Sequence, residues 1–434
     1  MTDKMNKKQM IKSKKMLKQY FENIKKKQEE FDTKSPRIPL AIPPYDWEEV
    51  NESLDSLLNM ETTMGKKVEL FEKKFAKYLG VKYALMVNSG SSANLVALSI
   101  LTNQGIGKKR IQKKDEIITP AVTWATTVYP IINVGAKPVF VDVEKETYNI
   151  DPDKIEKAIT TRTKAIFIVH LLGNPCNMEK IQKIAKKYDL QIIEDSCEAH
   201  GAEFNGKKVG TFGILSTFSF FASHHITTME GGMIATNDEK VYELGKAIRT
   251  FGWSRELKNK EVLKKNNPNI DSRFLFVNTG YNLRPTELQG AFGIHQIGKL
   301  DKLVKIKIAN SKYWNNGLKK YEKFLILPTI NKKYKNTFLS YPITIRKNIF
   351  FTKNELVEFL EENGIETRPV MAGNMVEQPV TKMFDYKVVG KLKNSEFIMR
   401  NSFLIGNHQG IKRLQREYVL DKIIEFLEKK IKKK

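Results

Sequence analysis

The sequence predicts an α/β protein with a mostly parallel seven-stranded sheet and a smaller α+β unit at its C-terminal end. Three observations carry this. Between residues 83 and 237, seven short apolar runs alternate with helix-patterned segments. After about residue 300 the rhythm changes to one long helical pattern, a strand and a shorter helix. The 434 residues also exceed what one compact core usually holds. Strands that alternate with helices pair in parallel, because each crossover helix must return over a face of the sheet.

The elements follow in order. Residues 1–36 are rich in lysine and poor in apolar side chains, and are expected to be a poorly ordered extension. IPLAIPPYD, with Pro39, Pro43 and Pro44, marks the entry to the folded body. KKVELFEKKFAKYLG has helical spacing and stops at Gly80. Strands are expected at 83–87, 115–120, 137–143, 165–170, 191–195, 216–220 and 232–237, with helices such as SSANLVALSILTN and MEKIQKIAKKYD between them. Residues 37–300 form the large domain of this reading and 301–434 the small one. The small domain takes the end of a long helix beginning near PTELQ, then the strand FLSYPITI and the helix NELVEFLEENG.

Composition narrows the function classes. The net charge is +25, which invites a nucleic-acid reading. Only twelve of the 74 basic residues are arginine, the residue suited to bidentate phosphate and base contacts, so nucleic acid is not expected as a partner. The positive surface suits an anionic small ligand instead. No apolar run reaches the roughly 20 residues needed to cross a bilayer, and the basic N-terminus lacks the apolar stretch of a secretion signal. A cytoplasmic protein without a membrane partner is expected. Cys176 and Cys197 are too few for a disulfide framework or a four-cysteine metal or iron–sulfur site.

Four segments carry candidate chemistry. NSGSSAN (88–94) follows a strand and opens a helix, so the amides of Gly90 and Ser91 suit a phosphate; a serine cap is the simpler alternative. Trp124 follows another strand and can stack on a flat ring or fill the core. Asp195 ends a buried strand, where a carboxylate needs a partner: a protonated pyridine nitrogen, a cap or a salt bridge. STFSFFASHHITTMEGGMIATND (216–238) offers Ser219 at a strand end and a Gly-Gly turn. The four together are far more specific than any one.

In this order the segments resemble the DegT/DnrJ/EryC1/StrS family of sugar aminotransferases, from about Ile38 to beyond Asn407. The resemblance implies the fold type I architecture of pyridoxal-phosphate-dependent transferases. Where the family carries the lysine that holds its cofactor, this chain has His224, followed by His225, and no lysine occurs between Lys208 and Lys240. With TRPVMAGNMVEQP (367–379) and IGNHQG (405–410), this is similar to the family's 3-dehydratase branch. Cys197 matches one ligand of the branch's iron–sulfur form, but FGWSRELKNKEVLKK lacks the others, so the cluster-free kind is implied, with no metal.

The resemblance assigns roles by position. Gly90, Ser91 and Ser219 would hold the cofactor phosphate, Trp124 would stack on its ring, Asp195 would contact the ring nitrogen, and Glu198 would orient it near the 3-hydroxyl. Asn282 would reach the partner subunit's phosphate in a homodimer with shared sites, and Arg368 would touch substrate. His224 would be the catalytic base, suited by an ordinary pKa near 6.5. The implied activity is removal of the C3 hydroxyl from a nucleotide-linked 4-keto-6-deoxy sugar, GDP-4-keto-6-deoxymannose being the first expectation, in deoxysugar and lipopolysaccharide O-antigen biosynthesis. Pyridoxamine 5'-phosphate would be the working cofactor, restored from pyridoxal 5'-phosphate by L-glutamate. The alternatives are a sugar aminotransferase that uses histidine in place of lysine, and a binding protein without turnover. His200 and His408 carry no assigned role, and His225 reads as a packing residue.

Overall fold

The computed structural model describes residues 2–328 and 333–432. Seven strands fall at the predicted runs: β1 (Tyr83–Val87), β2 (Glu116–Pro120), β3 (Lys137–Val141), β4 (Thr163–Val169), β5 (Gln191–Asp195), β6 (Leu215–Ser219) and β7 (Gly232–Thr236). The C-terminal part of the chain adds β8 (Leu325–Ile326), β9 (Tyr341–Ile345), β10 (Thr367–Pro369), β11 (Lys387–Val388) and β12 (Ser402–Ile405).

The central sheet has the order β1-β7-β6-β5-β4-β2-β3-β11. It is eight-stranded rather than the expected seven, because β11 returns to pair in parallel with β3. Two polar-flanked residues on an outer edge give no periodic signal that a sequence reading can find. Strand β7 alone runs against the rest. The remaining strands therefore end on one side, and loops after β1, β2, β4, β5 and β6 meet there. Open α/β sheets bind ligands outside those carboxyl ends.

Helices α1 (Thr2–Glu29), α2 (Trp47–Leu58), α3 (Lys66–Leu79), α4 (Gly90–Thr102), α5 (Ala125–Asn133), α6 (Met178–Lys187) and α7 (Glu239–Arg249) come before the long α8 (Glu287–Leu318), α9 (Lys353–Glu362) and α10 (Arg413–Lys432). Their starts follow local chemistry. Asp46 with Glu49, Thr286 with Gln289 and Thr352 with Glu355 form capping boxes at α2, α8 and α9, satisfying orphan amides reciprocally. Gly80 ends α3 in the left-handed conformation, as expected for a helix stop. Helix α6 turns Met178, Ile181 and Ala185 inward and its lysines outward.

The lysine-rich extension, expected to be poorly ordered, is helical as α1. Phe21 meets Tyr45 edge-on, Lys14 lies over the ring of Trp47, and Lys25 pairs with Asp46 at 3.0 Å. The expected boundary at residue 300 falls inside α8, whose buried face packs on α2 and α3 at one end and α10 at the other. The second sheet, β8-β9-β12-β10, is antiparallel and shares a core with α9 and α10 through Trp314, Tyr341, Phe403 and Phe426. Ile38, from the entry segment, is buried in that same core. Both cysteines are free thiols, as expected.

Candidate active site

A cavity of about 670 Å³ opens at the carboxyl ends of the strands. It brings together Gly90, Ser91, Trp124, Asp195, Glu198, Ser219, His224 and Arg368. Those eight expected residues come from five segments that are far apart in the sequence.

The phosphate end is built by β1 and α4. Ser89 caps the helix, its Oγ accepting from Ser92 N and its carbonyl from Ala93 N. The amides of Gly90 and Ser91 stand ahead of those bonds, at the positive end of the helix dipole. A Cβ on Gly90 would collide with the side chain of Ser219, so only glycine lets these two phosphate candidates share one corner. Gly232 has a similar reason: a Cβ there would strike the carbonyl of Ser89, where β7 passes beneath the loop.

Asp195 ends β5 and is buried. Its Oδ2 accepts from Asn94 Nδ2 at 2.9 Å and Thr127 Oγ1 at 2.8 Å, and its Oδ1 from the amide of Cys197 at 3.2 Å. Thr217 Oγ1 donates to Asn94 Oδ1 at 2.6 Å, and Thr123 Oγ1 to Thr127 at 2.9 Å. Asp195 thus stays oriented with no lysine or arginine on it among the described residues, free to stabilise a cation placed in the cavity. The sequence reading missed Asn94, Thr127 and Thr217. One signal was present: Asn94 is a polar residue on the buried, apolar face of α4.

Trp124 caps α5 and is 54% exposed, which rules out the core reading and leaves a flat ring at the cavity. Glu198 accepts from Leu172 N at 2.8 Å, and burial pushes its carboxyl up to about 7. A helix N-terminus open to the cavity, an exposed indole and a supported carboxylate fit a phosphorylated pyridine ring.

His224 sits at the cavity wall. Its Nδ1 is 2.6 Å from the carbonyl oxygen of Cys197. A carbonyl only accepts, so Nδ1 carries the proton and Nε2 keeps its lone pair. Burial lowers the pKa of His224 to about 4, against the pull of the Cys197 carbonyl and the Asp195 charge, so the ring is neutral at pH 7. No lysine lines the cavity among the described residues. His225 points away, its Nε2 3.2 Å from Thr337 O, and is buried as a packing residue. His200 is buried against His224, ring centroids 6.4 Å apart.

The structure separates the two remaining residues, Arg368 and Asn282. Arg368 lies on β10 at the cavity, its Nη1 donating to Thr367 O at 2.8 Å. Asn282 is not at the cavity: it is exposed, accepts from Arg284 Nε at 3.0 Å and bridges to Thr250. A single chain does not bring it to the other residues.

Comparison with known proteins agrees with this geometry. Residues 44–424 match the model of the DegT/DnrJ/EryC1/StrS aminotransferase family. The chain is 41% identical over 377 residues to GDP-4-keto-6-deoxy-D-mannose 3-dehydratase from Escherichia coli O55:H7, covering 86% of this chain and 95% of that protein. A crystal structure of a histidine-to-asparagine variant of GDP-4-keto-6-deoxymannose-3-dehydratase with bound GDP-perosamine superposes with a TM-score of 0.84 at 38% identity, covering 89% of this chain and all of that one. A structure of that enzyme with a trapped PLP-glutamate geminal diamine gives a TM-score of 0.83 at 38% identity, with the same coverage. The chain belongs to the DegT/DnrJ/EryC1/StrS aminotransferase family.

Proposed function

We propose that this chain is a pyridoxamine-phosphate-dependent 3-dehydratase of a nucleotide-linked 4-keto-6-deoxy sugar, with GDP-4-keto-6-deoxymannose as its substrate and L-glutamate as the amino donor. The observation that carries this is His224, a neutral imidazole with a free Nε2, in a cavity with no lysine among the described residues. The likeness to GDP-4-keto-6-deoxy-D-mannose 3-dehydratase supports the reaction and the nucleotide.

When bound, the cofactor supplies an amine for the sugar's C4 ketone and an electron sink that lets the C3 hydroxyl leave. The chain's own residues do the rest. The amides of Gly90 and Ser91, with Ser219 Oγ, hold the phosphate, and Trp124 covers the ring. Asp195 keeps the ring nitrogen protonated. Glu198 orients the ring. His224 Nε2 takes a proton from the cofactor's C4′ carbon and can return one to the departing hydroxyl. Because no lysine lines the cavity among the described residues, the cofactor would be held noncovalently and its amine form could persist between turnovers. Arg368 faces the substrate.

The enzyme acts as a cytoplasmic homodimer in this reading. Asn282 sits among the exposed apolar residues Phe251, Phe276, Val277 and Tyr281, a surface suited to a second copy that would receive Asn282 at its phosphate.

Absorbance tests the proposal. Purified protein given pyridoxal phosphate and then L-glutamate should shift from the aldehyde to the amine band, and the cofactor should dialyse away even after borohydride. With the sugar nucleotide, ammonia should be released. A cofactor fixed covalently by borohydride, or nitrogen retained on the sugar product, points to an aminotransferase instead.

A further inference from the structure

Helix α8 carries one lysine on its buried face, Lys307, only 4% exposed. Its ammonium donates to the carbonyl of Leu339 at 3.0 Å and to that of Asn407. The Asn407 side chain answers: its Nδ2 donates to Lys307 O at 3.1 Å, to Ser311 Oγ at 3.1 Å and to Phe338 O at 3.3 Å. Asn310 Nδ2 donates to Asn407 Oδ1 at 3.3 Å. One buried cluster on α8 therefore holds two loops, residues 336–340 and 405–410.

One loop lines the cavity and the other holds a segment that does. Leu339 and Ser340 line it directly. The other loop grips the entry segment: His408 Nε2 lies 2.9 Å from Pro39 O, and Gln409 Nε2 donates to Ile42 O at 2.8 Å. Between those two anchors lie Leu40 and Ala41, which also line the cavity. The cofactor-side groups Gly90, Trp124, Asp195 and Ser219 stand instead at the ends of the central strands.

No carboxylate faces the Lys307 ammonium among the described residues. Burial alone acts on it and lowers its pKa to about 7. The neighbouring titratable groups are His224, His225 and His408, whose pKa values are all lowered. An amine buried without a counter-ion is costly, and an apolar side chain of similar length would avoid that cost. What the amine contributes in return is two fixed carbonyls, one on each loop.

We propose that Lys307 and Asn407 form a positioning hub that sets the wall of the cavity facing the sugar nucleotide, through Leu339 and Ser340 on one loop and, by way of the other loop's grip on the entry segment, through Leu40 and Ala41. Neither residue touches the reacting atoms. The inference rests on the dehydratase reading given above.

The test uses full-length wild type, Lys307→Met, Lys307→Arg and Gln409→Ala, each loaded with cofactor and assayed with GDP-4-keto-6-deoxymannose and glutamate. Lys307→Met should raise KM for the sugar nucleotide about tenfold, the scale of one lost hydrogen bond to a charged group, while kcat and cofactor affinity stay near wild type. Lys307→Arg should recover part of the loss. Gln409→Ala, a change at the far end of the same loop, should raise KM in the same direction and serves if Lys307→Met does not fold. An unchanged KM in a folded variant overturns the hub, as does a KM rise that comes only with weaker cofactor binding and a lower Tm. A wild-type protein that binds cofactor but turns over no 4-keto sugar nucleotide overturns the dehydratase reading, and the hub with it.

Discussion

His224 Nδ1 lies 2.6 Å from the carbonyl oxygen of Cys197, two residues beyond the carboxylate that ends β5. That one bond fixes the histidine's tautomer and connects the proposed base to the strand that supplies Asp195. Replacing His224 with asparagine keeps a donor for the carbonyl and removes the base. Sugar dehydration should fall about 10²–10⁴-fold, the usual contribution of a positioned proton-transfer group. Cofactor should still bind, which dialysis and absorbance measure. Retained dehydration sinks the role.

The same residue sets a pH limit. The folded-state pKa of His224 is depressed to about 4 from 6.5. It therefore stays a base down to about pH 4, and the acid limb of kcat/KM should not lie near 6.5. Below 6.5 the unfolded chain takes up a proton that the folded site refuses, so this stabilising contribution shrinks as pH falls from 6.5 towards 4. A pH profile of single-turnover dehydration beside thermal unfolding at each pH checks both.

Gly90→Ala would place a Cβ against the side chain of Ser219, at the corner assigned to phosphate. One of the two must move. Cofactor affinity should fall at least about tenfold, on the scale of one charge-assisted hydrogen bond, with little change in secondary structure. Equilibrium dialysis with pyridoxal phosphate and circular dichroism separate the two effects. Normal affinity removes the amide pair from the phosphate site.

Asp195→Asn replaces an acceptor already bonded by Asn94 and Thr127 with an amide that carries its own donors. It also removes the charge that would hold a pyridine nitrogen protonated. Dehydration and the glutamate half-reaction should both drop by about 10² or more, because both need the electron sink. Loss of one half-reaction alone contradicts that shared role.

Glu194 offers a test of the scaffold behind the site. Its buried carboxylate accepts from the amides of Gly210, Phe212 and Gly213, each at 2.7 Å, and faces His170 Nε2 at 3.1 Å. Glu194→Ala leaves three amides and a histidine without their acceptor. Stability should fall by about 3–5 kcal/mol, typical of breaking a buried charged network, read as a lower urea midpoint. A loss under about 1 kcal/mol shows that water replaces the carboxylate.

Most of the central sheet was legible because a parallel strand buried on both faces writes itself as a continuous apolar run. The seven runs from residue 83 to 237 were found at their places. Strand β11 was not, since two partly polar residues on an edge carry no period. Helix α1 was not legible for a different reason: a lysine-rich run with few apolar residues carries little core signal, and its contacts, such as Phe21 on Tyr45, come from distant parts of the chain. Gly90, Trp124, Asp195 and Ser219 were legible as candidates because each stands at or just after the end of an apolar run, where ligands meet such sheets, and His224 because it stands where the family it resembles has a lysine.

What the sequence determined by itself is seven of the eight central strands, the chemistry of their ends and the histidine in a segment without lysine. The tertiary structure decided which nitrogen of His224 carries the proton, since a backbone carbonyl 27 residues away makes that choice. It also decided that Asn94 and Thr127 support Asp195, and that Lys307, a lysine among many in the sequence, is a buried donor between two loops. Local patterns encode which elements form, because periodicity acts over a few residues. Hydrogen bonds between distant residues depend on how those elements stack, and that is settled only when the chain closes around its cores.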